Sequence, residues 1–172
     1  MPVRDPIPPE LKWQVVSRLF TSLPVMYDIT FRDTVGDRYD ALEHQVWIHL
    51  AGEAKAFAES ANLPAGNAGE IMDTLRIIFL VFFGPDLRTE EIPINSERSV
   101  LMIKRCPFIA RELAMRGGTE CLLSRCLAFS IATVEALNPG FTLRFVRSMC
   151  TGDRTCELKI IKREDAEKDE KK

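Results

Sequence analysis

Five cysteines carry most of the chemistry this sequence offers: Cys106, Cys121, Cys126, Cys150 and Cys156. All lie in the C-terminal two-fifths, and the first 105 residues contain none. An odd number of thiols behind an N-terminus without a secretory pattern is a poor disulfide framework. In a reducing compartment, clustered thiols serve as metal ligands, catalytic groups or core residues. The pair Cys150 and Cys156 is the sharpest local signal. It brackets Thr151-Gly152-Asp153-Arg154-Thr155, where a β-turn can bring two thiolates to one soft cation.

Further ligands must come from the helix before that turn. Cys121 and Cys126 are five residues apart there, about 140° around a regular helix, so the two do not aim at one ion unless the first turn is distorted. Cys126 shares its face with Ser130 and Leu137. The expected site is therefore Cys126, Cys150 and Cys156, completed by Cys121, Cys106, Glu120 or water. Sulfur ligands fit zinc, and as the alternative an iron–sulfur cluster. The competing reading makes Cys150 and Cys156 cross-strand neighbours or an occasional disulfide beside two buried helix thiols.

Other candidates are weaker. His44 and His49 are five apart on one helix and make no ligand pair. Gly117-Gly118 ahead of a helix start is an ordinary helix stop that could hold an anion. Arg144 and Arg147 face opposite sides of a strand, and Trp47, Phe79, Phe82 and Phe83 read as core. There is no nucleophile elbow, P-loop or dinucleotide fingerprint.

The elements that must position these residues follow from periodicity. A proline-rich arm (1–9) leads into a helix that Pro24 is expected to end. Asp37 caps a second helix whose stripe is Ala41, Val46, Leu50, Ala54 and Phe57. A third, over 70–83, is apolar on all sides in its second half and should be the central buried helix or a dimer contact. Residues 86–97 look turn-like, and 99–105 read as a strand. A short helix from Pro107 and a longer one over 120–137 follow, the latter capped by Thr119 and stopped by Asn138-Pro139-Gly140. Phe141–Arg147 alternates at period two and pairs with 157–162 through a Gly-Asp turn. The order predicts an α+β domain over 1–162, helices on a small antiparallel sheet, and a charged, frayed tail over 163–172.

Composition narrows the function. The 172 residues are 46% hydrophobic and 28% charged, a globular balance for one domain. A net charge of -2 argues against nucleic acid as partner. The longest apolar run, seven residues, is far below the roughly 20 a membrane helix needs. The expectation is a cytoplasmic protein without a membrane or nucleic-acid partner.

Cys106-Pro107, Cys126 in a helix ending at Asn138-Pro139, and Thr142 to Glu157 with Gly152-Asp153 and Cys156 resemble the aminothiazoline-carboxylate hydrolase-like family. Tyr39, Leu42, Glu43 and Trp47 are compatible with that family's second helix. The C-terminal order is also similar to the vinyl-reductase-type small-molecule-binding domain. The resemblance covers roughly 100–160. It implies an α+β fold, often dimeric, with an internal pocket for a small-molecule ligand. It also implies zinc on Cys126, Cys150 and Cys156, in a sensor or accessory module. Two positions depart from it: Arg147 stands where the sensors carry a Glu ligand, and 127–130 lack the hydrolases' Asp. The enzyme alternative is a C–N hydrolase opening a small heterocycle, with Cys126 or Cys150 as nucleophile. The redox alternative is an iron–sulfur protein.

Overall fold

A computed structural model describes residues 6–116 and 122–170. Three helices come first: α1 (Pro9–Val35), α2 (Tyr39–Ser60) and α3 (Ala68–Phe83). The hairpin β1 (Arg88–Asn95) and β2 (Arg98–Arg105) leads into α4 (Pro107–Met115) and α5 (Leu122–Leu137). β3 (Phe141–Arg147), β4 (Cys156–Lys162) and α6 (Arg163–Glu170) complete the chain. The four strands form one antiparallel sheet in the order β1-β2-β4-β3. This is the expected α+β architecture of helices on a small antiparallel sheet.

Each boundary has a local cause. α3 starts at a reciprocal cap: Asn67 Oδ1 accepts from the Glu70 N–H at 3.1 Å, and Glu70 Oε2 accepts from the Gly66 N–H at 2.7 Å. It ends at Gly84, whose φ of 89° is left-handed and whose N–H donates to the Leu80 carbonyl. α3 then buries Ile71, Met72, Leu75, Ile78 and Phe79 against the sheet. In β4, Leu158 and Ile160 point into the same core, as do Leu101 of β2 and Leu143 of β3.

Five expectations are corrected. Pro24 lies inside α1 rather than ending it, so the helix runs on to Val35. Only one backbone hydrogen bond is forfeited by that proline, and the ion pairs of the second half offset it. α2 begins at Tyr39 after a 3-10 turn over Gly36–Arg38, with no side-chain cap from Asp37. The polar stretch over 86–97 is mostly β1, whose partner β2 supplies the pairing that its own pattern does not advertise. α3 is not buried all round: Leu80 and Val81 are exposed. The charged tail is helical through Glu170, because Ala166 is buried and its carbonyl accepts from Arg144 Nη2 at 2.6 Å.

The end of α3 is also the tightest backbone approach. A Cβ on Gly84 would come within 2.5 Å of the Ser17 Cβ on α1. Gly84→Ala is therefore expected to cost at least about 1–2 kcal/mol from the left-handed φ alone, more with the clash. Urea unfolding measures this, and an unchanged midpoint would show that α1 yields at Ser17.

Candidate thiol and ligand site

Cys106 stands in extended backbone between the end of β2 and Pro107, the first residue of α4. Cys126 lies in α5. Cys150 sits in a 3-10 turn, Met149–Thr151, just beyond β3. Cys156 opens β4, opposite Ile103 of β2. None is disulfide-bonded; Cys156 is buried and the other three are partly buried.

The connection from β3 to β4 is a longer loop than the two-residue Gly-Asp turn expected. Ser148 organises it: its Oγ accepts from the Cys150 N–H at 3.1 Å, and its own N–H donates to Asp153 Oδ2 at 2.9 Å. Gly152 takes φ 100°, which closes the 3-10 turn. The result aims Cys156 Sγ back at the Met149 N–H, 3.3 Å away.

All four sulfur-bearing residues line one internal cavity of about 30 Å³. Its other walls are the rings of Trp47, Phe79, Phe83, Phe108, Phe129 and Phe145, with Leu87, Ile103, Leu122 and Leu158 among them. Three of the ring pairs meet edge to face. Phe83 lies 4.8 Å from Phe108, and Trp47 is 5.9 Å from Phe108 and 6.1 Å from Phe129. Arg125, Ser130 and Ser148 are the polar groups at the wall.

Burial pushes the Cys106 thiol up to about 12 and the Cys126 thiol well above its ordinary value. Cys150 and Cys156 shift the same way for the same reason. Cys106, Cys150 and Cys156 each add to the rise at Cys126, so the four sulfurs share a neighbourhood. Without a cation they are neutral thiols. Among the described residues, no three His, Cys, Asp or Glu side chains stand in a metal-holding arrangement. Cys121, Glu120, Thr119 and Gly117-Gly118 lie outside the described residues.

Sequence reasoning missed Arg125, which is fully buried beside Cys126. Its guanidinium faces three carboxylates from three other helices. Nε is 2.9 Å from Glu43 of α2, Nη2 is 3.2 Å from Asp28 of α1, and Nη1 pairs with Glu112 of α4. Asp28 also pairs with Arg32 and Arg116, and Arg32 reaches Asp40 at 2.8 Å. The Arg32 hydrogen bond holds the Asp40 carboxyl below the usual carboxylate range. Burial opposes the charge on Arg125, but Glu43 and Glu112 outweigh it and its pKa is raised. Burial raises Tyr39 to about 12, with Glu43, which accepts from its hydroxyl at 3.4 Å, adding to the rise. The signal was available: Arg125 is the lone cation in the predominantly apolar stretch Leu122–Leu137, whose only other charge is Glu135.

The remaining candidates are on the outside. His44 and His49 are exposed on α2. Arg147 faces Glu157 at 3.7 Å, and Arg144 is taken up by α6.

No family model and no curated protein matches the chain. Solved structures do share its fold. The phenol-responsive sensory domain of the transcription activator PoxR, solved with phenol, aligns at TM-score 0.55 and 12% identity, over 85% of this chain and 74% of that one. Trafficking protein particle complex subunit 3 from Naegleria fowleri, covalently bound to palmitic acid, aligns at TM-score 0.51 and 9% identity. That match covers 89% of this chain and 96% of the other. The likeness shows the α+β fold, and nothing found supports the aminothiazoline-carboxylate hydrolase family.

Removing one member of a buried ion cluster strands the others. Arg125→Met should destabilise the protein by about 3–5 kcal/mol, because Asp28 and Glu112 would keep buried charge without it. A loss below about 1 kcal/mol in denaturant unfolding would show that Arg32 and Arg116 neutralise the cluster alone.

Proposed function

We propose that the chain is a ligand-binding module, sensory or accessory, that takes a compact aromatic molecule into the cavity under α5. The observation that carries this is the cavity itself, where six aromatic side chains and four cysteines line one internal space. Its volume of about 30 Å³ holds about two waters. An aromatic guest must therefore displace rings. Phe83 and Phe108 meet edge to face and can exchange ring–ring contact for ring–guest contact at little net loss. Ser130 and Ser148 are among the lining residues, but the surface the cavity presents is apolar, which suits the ring of the guest. The shared fold with a phenol-responsive domain supports the same class of guest.

The expected test is thermal stability with phenol, catechol and a non-aromatic polyol. Phenol or catechol at millimolar concentration should raise Tm by several degrees, by mass action on the folded state. Phe83→Trp, which fills the space, should suppress that rise. No shift across the aromatic series would end the ligand reading.

The thiols support a second component, a structural zinc. Cys126, Cys150 and Cys156 would hold it, with Cys106 as the fourth sulfur at the same cavity. The donor chemistry is soft sulfur, from the residue ahead of α4, α5, the 148–155 loop and β4, but the four do not stand in a metal-holding arrangement, so zinc would have to draw them together. A divalent cation would reverse the burial effect that now keeps them protonated. Bound there, zinc would cross-link those elements rather than support turnover. Covalent capture of a guest on sulfur is disfavoured, since only the thiolate is the nucleophile.

Elemental analysis of protein purified without chelator should find about one zinc per chain, and Cys156→Ser should lower zinc content and Tm together. A colourless protein without metal, or a variant with unchanged metal content, would remove the zinc reading. A brown protein would replace zinc with an iron–sulfur cluster.

A further inference from the structure

The two edges of the sheet are not equivalent. β1 forms one of them and is poorly suited to further pairing. Pro93 lacks an N–H, and the ladder to β2 slips between Arg88 and Thr89 and again between Pro93 and Asn95. β3 forms the other edge. Among the described residues no strand pairs with its outer side. It contains no proline, and Phe141 to Phe145 pair with β4 in regular register. Its one irregularity falls between Phe145 and Arg147, near the end of the strand.

This edge lies in an open groove of about 600 Å³ that takes in β3 from Thr142 to Arg147. α5 forms one wall and α6 the other. The α5 wall is Leu123, Leu127 and Ile131, which are four residues apart and so share one face of the helix. All three are partly exposed, whereas Leu122, Ala128 and Phe129 on the adjoining face are buried in the core. The stripe runs about 12 Å along the helix axis, the length of roughly four residues of strand. α5 therefore overhangs the edge of the sheet with apolar side chains where one more strand would lie. The α6 wall is polar: Arg163 and Glu167 flank Ala166, and Arg163 is held by Glu135 at 3.0 Å.

We propose that the β3 edge is a docking site for an extended peptide segment of another protein, taken up as a fifth strand. Backbone chemistry selects this occupant, because the N–H and C=O groups of an open edge are complemented by another extended backbone. The two walls set its side-chain pattern. Successive residues of a strand point to opposite faces, so alternate positions would meet the Leu123, Leu127 and Ile131 stripe and those between them the Arg163 and Glu167 side. A segment of about five residues alternating aliphatic and polar side chains matches both. A second copy docked edge to edge would bring its own overhanging α5 over the same strip, so a segment without a covering helix is the better match. Phe145 and Ser148 line this groove and the thiol cavity alike, but the docking does not depend on what the cavity binds.

The probe is a capped, fluorescein-labelled octapeptide that alternates valine and threonine between a terminal glutamate and a terminal lysine. Its anisotropy should rise saturably with the full chain below about 1 mM. The same peptide N-methylated at its central residues keeps the side chains and loses the backbone donors, and should bind at least about 10-fold more weakly. Bound peptide should slow amide hydrogen exchange in β3 and leave β1 unchanged. Leu127→Lys should weaken binding at least about 10-fold with unchanged circular dichroism; if that variant does not fold, Leu123→Lys is the second test. Ile92→Lys, on the exposed side of the other edge strand, should leave binding unchanged. Absence of saturable binding would overturn the proposal, as would equal binding of the N-methylated peptide, which would mean apolar contact without strand pairing. A wild-type dimer in sedimentation equilibrium that Leu127→Lys dissociates would overturn it in favour of a second copy.

Discussion

One buried guanidinium holds four helices in register. Arg125 of α5 faces Glu43 of α2, Asp28 of α1 and Glu112 of α4, and Asp28 draws in Arg32 and Arg116 as well. A cluster of this kind adds little net stability, since each charge must first leave water. Its effect is geometric. This arrangement brings three carboxylates to one guanidinium, and moving any one of the helices away would leave its carboxylate without that partner. The ion cluster thus selects the helix packing that hydrophobic burial would leave less defined.

That constraint explains the odd polarity of α1. Its inward side is polar because it docks through Asp28 and through small hydroxyl side chains that bond back to their own helix. Ser17 donates to the Trp13 carbonyl and Thr21 to the Ser17 carbonyl. These small residues also let α1 approach the end of α3 closely at Gly84. With charge and close approach fixing the inner side, the large apolar residues are left for the outer one.

Arg125 and Cys126 are consecutive, so the ion cluster and the thiol-lined cavity meet at one turn of α5. Arg125 itself forms part of the cavity wall. The aromatic rings and neutral thiols keep the cavity dry and apolar, while the charges behind them are already paired. The cavity therefore presents ring edges and sulfur rather than an open charge.

Much of this was legible in the residues alone. The period-two run at Phe141–Arg147 and the Asn138-Pro139-Gly140 stop placed the end of α5 and the strand after it closely, because turns and alternation are local properties. The thiols of Cys126, Cys150 and Cys156 were recognised as a group from spacing, but Cys106 joins them only because β2 lies beside β4. The strand β1 was hidden, since a polar edge strand is defined by its partner and not by its own pattern. Pro24 misled, because a helix held by ion pairs tolerates the loss of one hydrogen bond. Arg125 shows the division most clearly. The sequence determines that a lone cation sits in an apolar helix. Only the tertiary structure decides that three carboxylates from distant segments converge on it, since Coulomb partners are chosen by distance in space and not by separation along the chain.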